Sequence, residues 1–298
     1  MEEIKQLALI GSTASGKSSL AIKTAQHMNA HILSLDSLSI YKEIDIVSAK
    51  PTIRERDGIV HFGIDVISPN ESFDVTTFIA LYRDVYQKCQ REHKNLIIVG
   101  GTSFYLKMLL EGVSTLPTIS KETQKKTKAH LFDLQETYQW LYCLDPLYMS
   151  NIESSDTYRI EKVLNIYLET GKTATEYFKI YPPKPIISTP LLIYQIEWQR
   201  DLLRQRIAQR TKIMLKYGLI DEICMLEKKY TRAPNCMKAI GIKETLAYLD
   251  GIYSKEIMTE KITTNTARLA KRQKTFNNSQ FKNVIKGSVD MLEKLLLN

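Results

Sequence analysis

The feature that most constrains the fold is the stretch "GSTASGKS", which runs from Gly11 to Ser18 and fits the pattern Gly-x-x-x-x-Gly-Lys-Ser. An apolar run at residues 7–10 precedes it and predicts a buried parallel strand, and residues 18–28 predict a helix. A glycine-rich turn between strand and helix points backbone N–H groups, and the positive end of the helix dipole, at an anion. The pattern therefore predicts a phosphate-binding loop in an α/β domain.

Within this loop, Lys17 would reach the terminal phosphates and the Ser18 hydroxyl would bind Mg²⁺. The residues expected to hold phosphate are Gly11, Ser12, Thr13, Ala14, Ser15, Gly16, Lys17 and Ser18. The usual occupants are ATP and GTP, and an ATPase or kinase normally carries a metal-binding aspartate at the end of a hydrophobic strand. The strand predicted at residues 96–99 ends instead in Gly100, and the acidic strand end is Asp36. This weakens a kinase interpretation without excluding it.

Composition limits the class of protein. Hydrophobic residues make up 44% of the 298-residue chain, yet no apolar run approaches the roughly 20 residues needed to span a bilayer. The apolar stretch before the phosphate loop is too short for a signal peptide. The four cysteines are scattered, without a Cys-x-x-Cys pair or a histidine cluster. We therefore expect a cytoplasmic protein with reduced thiols, no membrane segment and no zinc site.

Positive charge is concentrated near the carboxyl terminus. The net charge is +8, and no acidic residue lies between Glu260 and Asp290. The basic residues of that stretch are Lys261, Arg268, Lys271, Arg272, Lys274, Lys282 and Lys286. A stretch with charge of one sign predicts contacts with nucleic-acid phosphates, although such a stretch can also be an ordinary solvated surface. We assign RNA contact to Arg268, Lys271, Arg272 and Lys274.

Strands and helices alternate along most of the chain. Apolar runs at residues 31–37, 95–102 and 191–198 predict further strands, and residues 74–89 have apolar side chains at helical spacing. Since right-handed crossovers between parallel strands stack helices on both faces of a sheet, we predict an α/β fold: a P-loop NTPase-like parallel sheet flanked by helices.

The middle of the chain has a different character. Two proline-containing segments, residues 114–120 and 181–188, enclose a stretch that lacks a clear strand. We therefore predict a catalytic core formed by residues 1–114 and 189–298, which ends in basic RNA-binding helices, and a small helical insertion over residues 115–188.

A further helix is predicted at residues 197–218, after the insertion. Arg206 and Arg210 lie one turn apart on one face of it, so this pair could clamp phosphates or could be two solvated arginines. The side chains expected to face the core are Trp198, Leu202, Leu203 and Ile207.

Six separated motifs make the prediction more specific. They are "GSTASGKS", "DSLSIYKEIDIVSAKP", "GGTSFYLKMLLEG", "YRIEKVLNIYLETGKT", "AIGIKE" and "TARLAKRQKTF". In these motifs and their order, the chain from residue 11 to 276 resembles bacterial tRNA dimethylallyltransferases. Enzymes of this family transfer a dimethylallyl group from dimethylallyl diphosphate to N6 of adenosine 37 in tRNA. The resemblance implies that the loop holds the diphosphate; it is often described as an ATP site, a label that the chemistry does not require.

The resemblance also implies residue roles. Asp36 matches the family's proposed general base for the adenine amino group, Thr102 matches a residue close to the reacting adenine and tRNA, and Lys17 completes the catalytic set. The residues implied to contact tRNA are Asp36, Ser37, Leu38, Ser39, Thr102, Tyr158, Arg159, Ile160, Glu161, Lys162, Lys238, Ala239, Ile240, Gly241, Ile242 and Lys243. The helical insertion would grip the anticodon stem-loop, with Mg²⁺ as cofactor and the enzyme acting as a monomer.

The chain departs from the family pattern at a few positions. Val47 and Ser48 replace the usual Gly-Thr before Ala-Lys-Pro, Phe62 replaces a second histidine, and Phe276 stands where tryptophan is usual. Two other classes of function stay open. One is a small-molecule (nucleotide) kinase or a free-adenylate isoprenyl transferase, neither of which needs an RNA grip. The other is a non-catalytic RNA-binding P-loop module.

Overall fold

A computed structural model of the protein describes residues 4–298. By their internal contacts these residues form two compact units. The first comprises the described residues up to Leu109 together with Ile187–Asn298, and the second is Leu110–Ile186.

The first unit is built on a six-stranded parallel sheet with the strand order β3-β2-β4-β1-β5-β6. Its strands are β1 (Gln6–Gly11), β2 (Ala30–Ser34), β3 (His61–Phe62), β4 (Asn95–Gly100), β5 (Leu192–Ile196) and β6 (Val284–Gly287). The predicted α/β class is confirmed. The predicted strands are present, each shorter than the apolar run that indicated it, and the edge strands β3 and β6 are additions to the predicted set.

Thirteen α-helices and one short 3₁₀ helix occur in residues 4–298. The α-helices are α1 (Lys17–His27), α2 (Val75–Arg91), α3 (Ser103–Glu111), α4 (Lys121–His130), α5 (Leu134–Leu144), α6 (Pro146–Met149), α7 (Thr157–Thr170), α8 (Ala174–Ile180), α9 (Arg200–Lys216), α10 (Leu219–Tyr230), α11 (Ile242–Leu249), α12 (Lys255–Gln280) and α13 (Val289–Leu297). The 3₁₀ helix is Asn235–Lys238.

The central strands are apolar on both faces because helices cover the sheet on each side. Leu9, Ile32 and Ile97 have no exposed surface, and they belong to a cluster that also contains residues of α1 and α13. Helix α2 begins where its sequence indicated, since the Asp74 side chain accepts hydrogen bonds from the first free amides of the helix. Burial of these apolar side chains stabilises the sheet that carries the loops at its carboxyl edge.

The carboxyl ends of β2 and β4 lie unusually close together. The Leu35 amide, just after β2, donates to the Val99 carbonyl at 2.7 Å. A Cβ atom on Gly100 would lie 2.6 Å from the Leu35 Cβ, so only glycine fits there. This packing brings the residues that follow the two strands, Asp36 and Thr102, to the same edge of the sheet as the loop after β1.

The second unit, Leu110–Ile186, contains only helices and irregular segments among its described elements. Helix α7 begins at the cap Asp156, whose side chain accepts from the Arg159 amide, and ends at Gly171 with φ of 66°. Its buried face, with Ile160 and Leu164, packs into a core that includes Leu141. The unit therefore has a hydrophobic core of its own.

One detail of the predicted packing is wrong. Leu202 was expected to face the core, but 43% of its surface is exposed. Helix α9 begins at Arg200 and points Ile207 inward, so the buried stripe is narrower than the apolar pattern suggested. Trp198 precedes the helix and has a different partner, described below.

Candidate active site

The loop between β1 and α1 presents unused hydrogen-bond donors. Lys17 Nζ donates to the Ser12 carbonyl at 2.6 Å, which folds the lysine back over the loop. Gly16 precedes α1 with φ of 92°, a conformation that favours glycine. Within residues 4–298 the amides of Ala14, Gly16, Lys17 and Ser18 donate no hydrogen bond. The loop is therefore a cradle of free N–H groups at a helix N-terminus, as an anion site requires.

Arg206 of α9 is held against this cradle. Its Nε donates to the Ala14 carbonyl at 2.9 Å, and its guanidinium lies 4.5 Å from the centre of the Trp198 ring. The Trp198 indole in turn donates to the Ser15 carbonyl at 2.9 Å. Trp198 thus supports both the loop and the arginine, a role that its position in an apolar pattern did not reveal.

Arg210, one turn further along α9, approaches the loop from the same side. Its Nη1 lies 3.4 Å from the Thr13 hydroxyl. Burial lowers the pKa of Lys17 to about 8, and the Arg210 charge lowers it further against the opposing effect of Asp36. The pKa of Arg210 is also lowered, by burial and by Arg206, while Asp36 acts in the opposite direction. Three cationic groups therefore share a site with one nearby carboxylate, and an added polyanion would relieve their repulsion.

Asp36 lies at the end of β2 with half of its carboxylate free. Oδ1 accepts from the Leu38 amide at 2.8 Å and from the Ser39 amide at 3.1 Å. In the described part of the chain Oδ2 accepts no hydrogen bond, and Asp36 is only partly buried. The Thr102 amide donates to the Leu35 carbonyl at 3.2 Å, which holds Thr102 beside this carboxylate.

Helix α12 also contacts the phosphate loop. The Ser12 hydroxyl donates to the Ala270 carbonyl at 3.1 Å, and the Thr13 amide donates to Gln273 Oε1 at 2.9 Å. Selection by charge picked out basic residues of this helix and overlooked Gln273, which stands among them. The selected basic residues are all exposed: Arg268, Lys271, Arg272 and Lys274.

The segments expected to contact tRNA in the first unit are unevenly exposed. Ser37 is exposed, and Ser39 is buried at 5%. Lys238 and Lys243 are exposed, but Ile242 has no exposed surface. Partly buried residues of these segments are Asp36, Leu38, Thr102, Ala239 and Ile240; Gly241 is buried. The side chains of Ser39 and Ile242 therefore support the segments from inside.

The corresponding segment in the second unit is the first turn of α7. Tyr158, Arg159 and Lys162 are exposed, and the Lys162 ammonium lies 5.5 Å from the centre of the Tyr158 ring. Glu161 is partly buried, and Ile160 is fully buried in the core of the unit. An RNA contact by this turn would use its exposed aromatic and basic side chains, not Ile160.

The Ser18 hydroxyl is exposed and, within the described chain, makes no hydrogen bond. Residues 4–298 contain no group of three or more His, Cys, Asp or Glu side chains that could hold a metal ion. Mg²⁺ commonly keeps several waters and binds through few protein groups and substrate phosphates. The residues present fit such a loosely held ion, with Ser18 as a ligand. None of the described helices is long and apolar enough to cross a membrane.

The unusual Val47 has a structural explanation. It is buried at 8%, and its Cγ2 lies 2.4 Å from where a Cβ on Gly241 would stand. The Glu222 carboxylate accepts hydrogen bonds from the backbone amides of residues 45–47. Val47 thus fills space left by a glycine in the adjacent "AIGIKE" motif.

Comparisons with known proteins agree with this site. A relative from Sulfurovum sp., "tRNA dimethylallyltransferase", is 70% identical over 99% of this chain and 98% of its own. A solved tRNA isopentenylpyrophosphate transferase from Staphylococcus epidermidis is 30% identical, with a TM-score of 0.69 over 98% of this chain and 97% of its own. A solved eukaryotic dimethylallyltransferase acting on tRNA is 26% identical, with a TM-score of 0.85 over 96% of this chain and 74% of its own. The family model "IPP transferase" matches residues 39–280, and the chain belongs to this family.

Proposed function

We propose that the protein is a tRNA dimethylallyltransferase, which transfers the dimethylallyl group of dimethylallyl diphosphate to N6 of adenosine 37 in tRNA and releases diphosphate. The observation that carries the proposal is the pairing of two sites at one edge of the sheet. A loop with free amides and three cationic side chains lies near a carboxylate with a free oxygen. The first suits a diphosphate leaving group, and the second suits an amine that must lose a proton.

The diphosphate would lie in the cradle formed by residues 11–18, with Lys17, Arg206 and Arg210 against its oxygens. When the bond between C1 of the dimethylallyl group and the diphosphate oxygen breaks, negative charge grows on that oxygen. Fixed donors and cations in a partly dehydrated site stabilise this charge without having to reorient. The lowered pKa values of Lys17 and Arg210 support the assignment, because they reflect positive charges held together before an anion arrives.

Asp36 would act on the nucleophile. As the bond between adenine N6 and C1 forms, the nitrogen must lose a proton, and Asp36 Oδ2 is the group available to accept it. Two backbone hydrogen bonds to Oδ1 fix the orientation of this carboxylate. Thr102, held beside it, would contact the adenine. We place the adenine between the carboxylate and the diphosphate, since two anions in direct contact would repel each other.

Ser18 would hold Mg²⁺ together with diphosphate oxygens and water. The metal would supply additional positive charge to neutralise the leaving diphosphate.

The tRNA would bind through exposed basic and aromatic groups. On α12 these are Arg268, Lys271, Arg272 and Lys274, and on α7 they are Tyr158, Arg159 and Lys162. Adenosine 37 belongs to the anticodon loop, whose bases can be drawn out of the stack and read on their edges. We propose that the helical insertion, residues 115–188, contacts the anticodon stem-loop, and that the enzyme acts as a monomer in the cytoplasm.

The test is incubation with dimethylallyl diphosphate labelled in the allyl group, Mg²⁺, and one of three acceptors. The acceptors are tRNA with adenosine 37, the same tRNA with guanosine 37, and AMP. We expect label only in the tRNA with adenosine 37. Label in AMP would identify a free-adenylate transferase. Hydrolysis or transfer of the ATP γ-phosphate would identify a kinase. Tight tRNA binding without any transfer would identify a non-catalytic module.

A further inference from the structure

Gln273 lies where three parts of the site meet. Its Oε1 accepts the hydrogen bond from the Thr13 amide in the phosphate loop at 2.9 Å. Its Nε2 lies 2.5 Å from the position that a Cβ on Gly101 would occupy, next to Thr102. Its neighbours in sequence, Arg272 and Lys274, are both exposed and basic. Gln273 is therefore an uncharged, half-buried side chain between two cations, turned toward the site and not toward solvent.

The contact between α12 and the loop is polar. The Ser12 hydroxyl bonds to the Ala270 carbonyl, one turn before Gln273. Asn277, one turn after Gln273, is 1% exposed, and within the described residues neither polar atom of its side chain has a hydrogen-bond partner. It lines a cavity of about 20 Å³ together with Gly11, Ser12 and Gln195, among others. Hydrogen bonds, with little apolar packing around them, thus determine where this helix lies on the loop.

Two hydrogen bonds fix adjacent residues of the loop, Ser12 and Thr13, to α12. A displacement of α12 therefore changes the position of the loop that presents the free amides and Lys17. The outward face of the same helix carries Arg268, Lys271 and Arg272, which the proposed function assigns to RNA. Any RNA that binds this face acts on a helix attached to the phosphate cradle.

We propose that Gln273 is a positioning residue that couples the two substrates: through the Thr13 amide it holds the phosphate loop in the form that binds the allylic diphosphate, and tRNA on α12 strengthens this hold. The proposal rests on the proposed function. Because coupling between two ligands is reciprocal, bound diphosphate raises the affinity for tRNA by the same factor that tRNA raises the affinity for diphosphate.

The test uses the full-length protein and measures the Kd of dimethylallyl diphosphate calorimetrically in Mg²⁺, alone and with saturating tRNA that carries guanosine 37. This tRNA cannot accept the allyl group at N6, so binding is measured without turnover. The ratio of the two dissociation constants is the coupling factor. For the natural protein we expect a factor of about 5 or more.

Three variants separate positioning from simple support. Gln273→Ala removes the bond to Thr13, and we expect its coupling factor to fall to within about twofold of unity while the tRNA Kd measured alone changes little. Gln273→Glu keeps an acceptor for the Thr13 amide but places a carboxylate beside the diphosphate. We expect it to weaken diphosphate binding about tenfold or more. Thr275→Glu is the matched control, since it adds the same charge at an exposed position of α12 and should leave diphosphate binding unchanged.

The outcomes are distinguishable. A natural protein without coupling, a Gln273→Ala variant that retains it, or a Gln273→Glu variant that binds diphosphate normally would each overturn the inference. Thermal melting of each variant shows whether it is folded; if Gln273→Ala is not, Gln273→Glu alone decides. The proposed function fails by a different result, namely the absence of label transfer to tRNA by the natural protein.

Discussion

The pKa of Lys17 leads to a prediction about pH. Burial and Arg210 lower this pKa to about 8, whereas an ordinary lysine has a value of 10.5. The free enzyme therefore begins to lose the Lys17 charge near pH 8. About nine-tenths of the molecules carry the charge at pH 7 and about one-tenth at pH 9, and the fraction falls tenfold with each further pH unit. Since the charge binds the diphosphate, kcat/KM for dimethylallyl diphosphate should fall with this slope above pH 8.

The value of kcat should behave differently. It reports the enzyme with both substrates bound, and an adjacent diphosphate favours the charged form of Lys17. The fall of kcat should therefore begin at a higher pH than that of kcat/KM. Calorimetry at pH 8 in buffers of different ionisation enthalpy should show uptake of about half a proton when diphosphate binds.

The assay is initial-rate transfer with limiting dimethylallyl diphosphate and saturating tRNA, at constant ionic strength between pH 7 and 10. Lys17→Arg, whose guanidinium stays charged throughout this range, is the control and should give a flat profile if it retains activity. The reasoning is refuted if the natural enzyme shows a flat kcat/KM profile to pH 9.5 and no proton uptake at pH 8, because Lys17 would then have the pKa of an exposed lysine.

Three further predictions concern other parts of the molecule. Asp36→Asn should lower the single-turnover rate about 10²–10⁴-fold while both substrates bind within a few-fold of normal; a near-normal rate would remove Asp36 as the base. Alanine at Lys271, Arg272 and Lys274 should reduce the slope of log K for tRNA against log salt by somewhat less than one unit per lost phosphate contact, and an unchanged slope would make this an ordinary solvated surface. Gly241→Ala should lower the free energy of unfolding by about 2 kcal/mol or more in denaturant titration, since φ is 96° and its Cβ would lie 2.4 Å from Val47 Cγ2; a value within 0.5 kcal/mol of normal would contradict the packing.

The sequence predicted those features that depend on local spacing. The phosphate loop needs eight consecutive residues between a strand and a helix, and the free amides follow from that geometry. The central strands needed only apolar runs. The edge strand β3 has two residues, His61 and Phe62, and so short a strand leaves no periodic pattern. It is defined by its pairing with β2, which is a tertiary contact.

The parts of the site that were missed are held by contacts between residues far apart in the chain. Gln273 meets Thr13 across 260 positions, and Trp198 meets Ser15 across 183. Neither residue is charged, so a search for phosphate ligands by charge passes over both. Trp198 looked like an ordinary core residue at the start of a helix. In the structure its ring supports Arg206 and its N–H supports the loop.

The close approach of β2 and β4 offers a physical reason why this phosphate loop suits transfer to an amine better than phosphoryl transfer. A kinase usually has its metal-binding aspartate at a strand end. At the end of β4 that position is Gly100, where even a Cβ would lie 2.6 Å from the Leu35 Cβ, so a carboxylate cannot be placed there without separating the strands. The carboxylate instead follows β2, as Asp36, where its charge acts on Lys17 and Arg210 without forming an ion pair with either. That leaves Oδ2 free for a proton from the acceptor and leaves the cations free for the diphosphate.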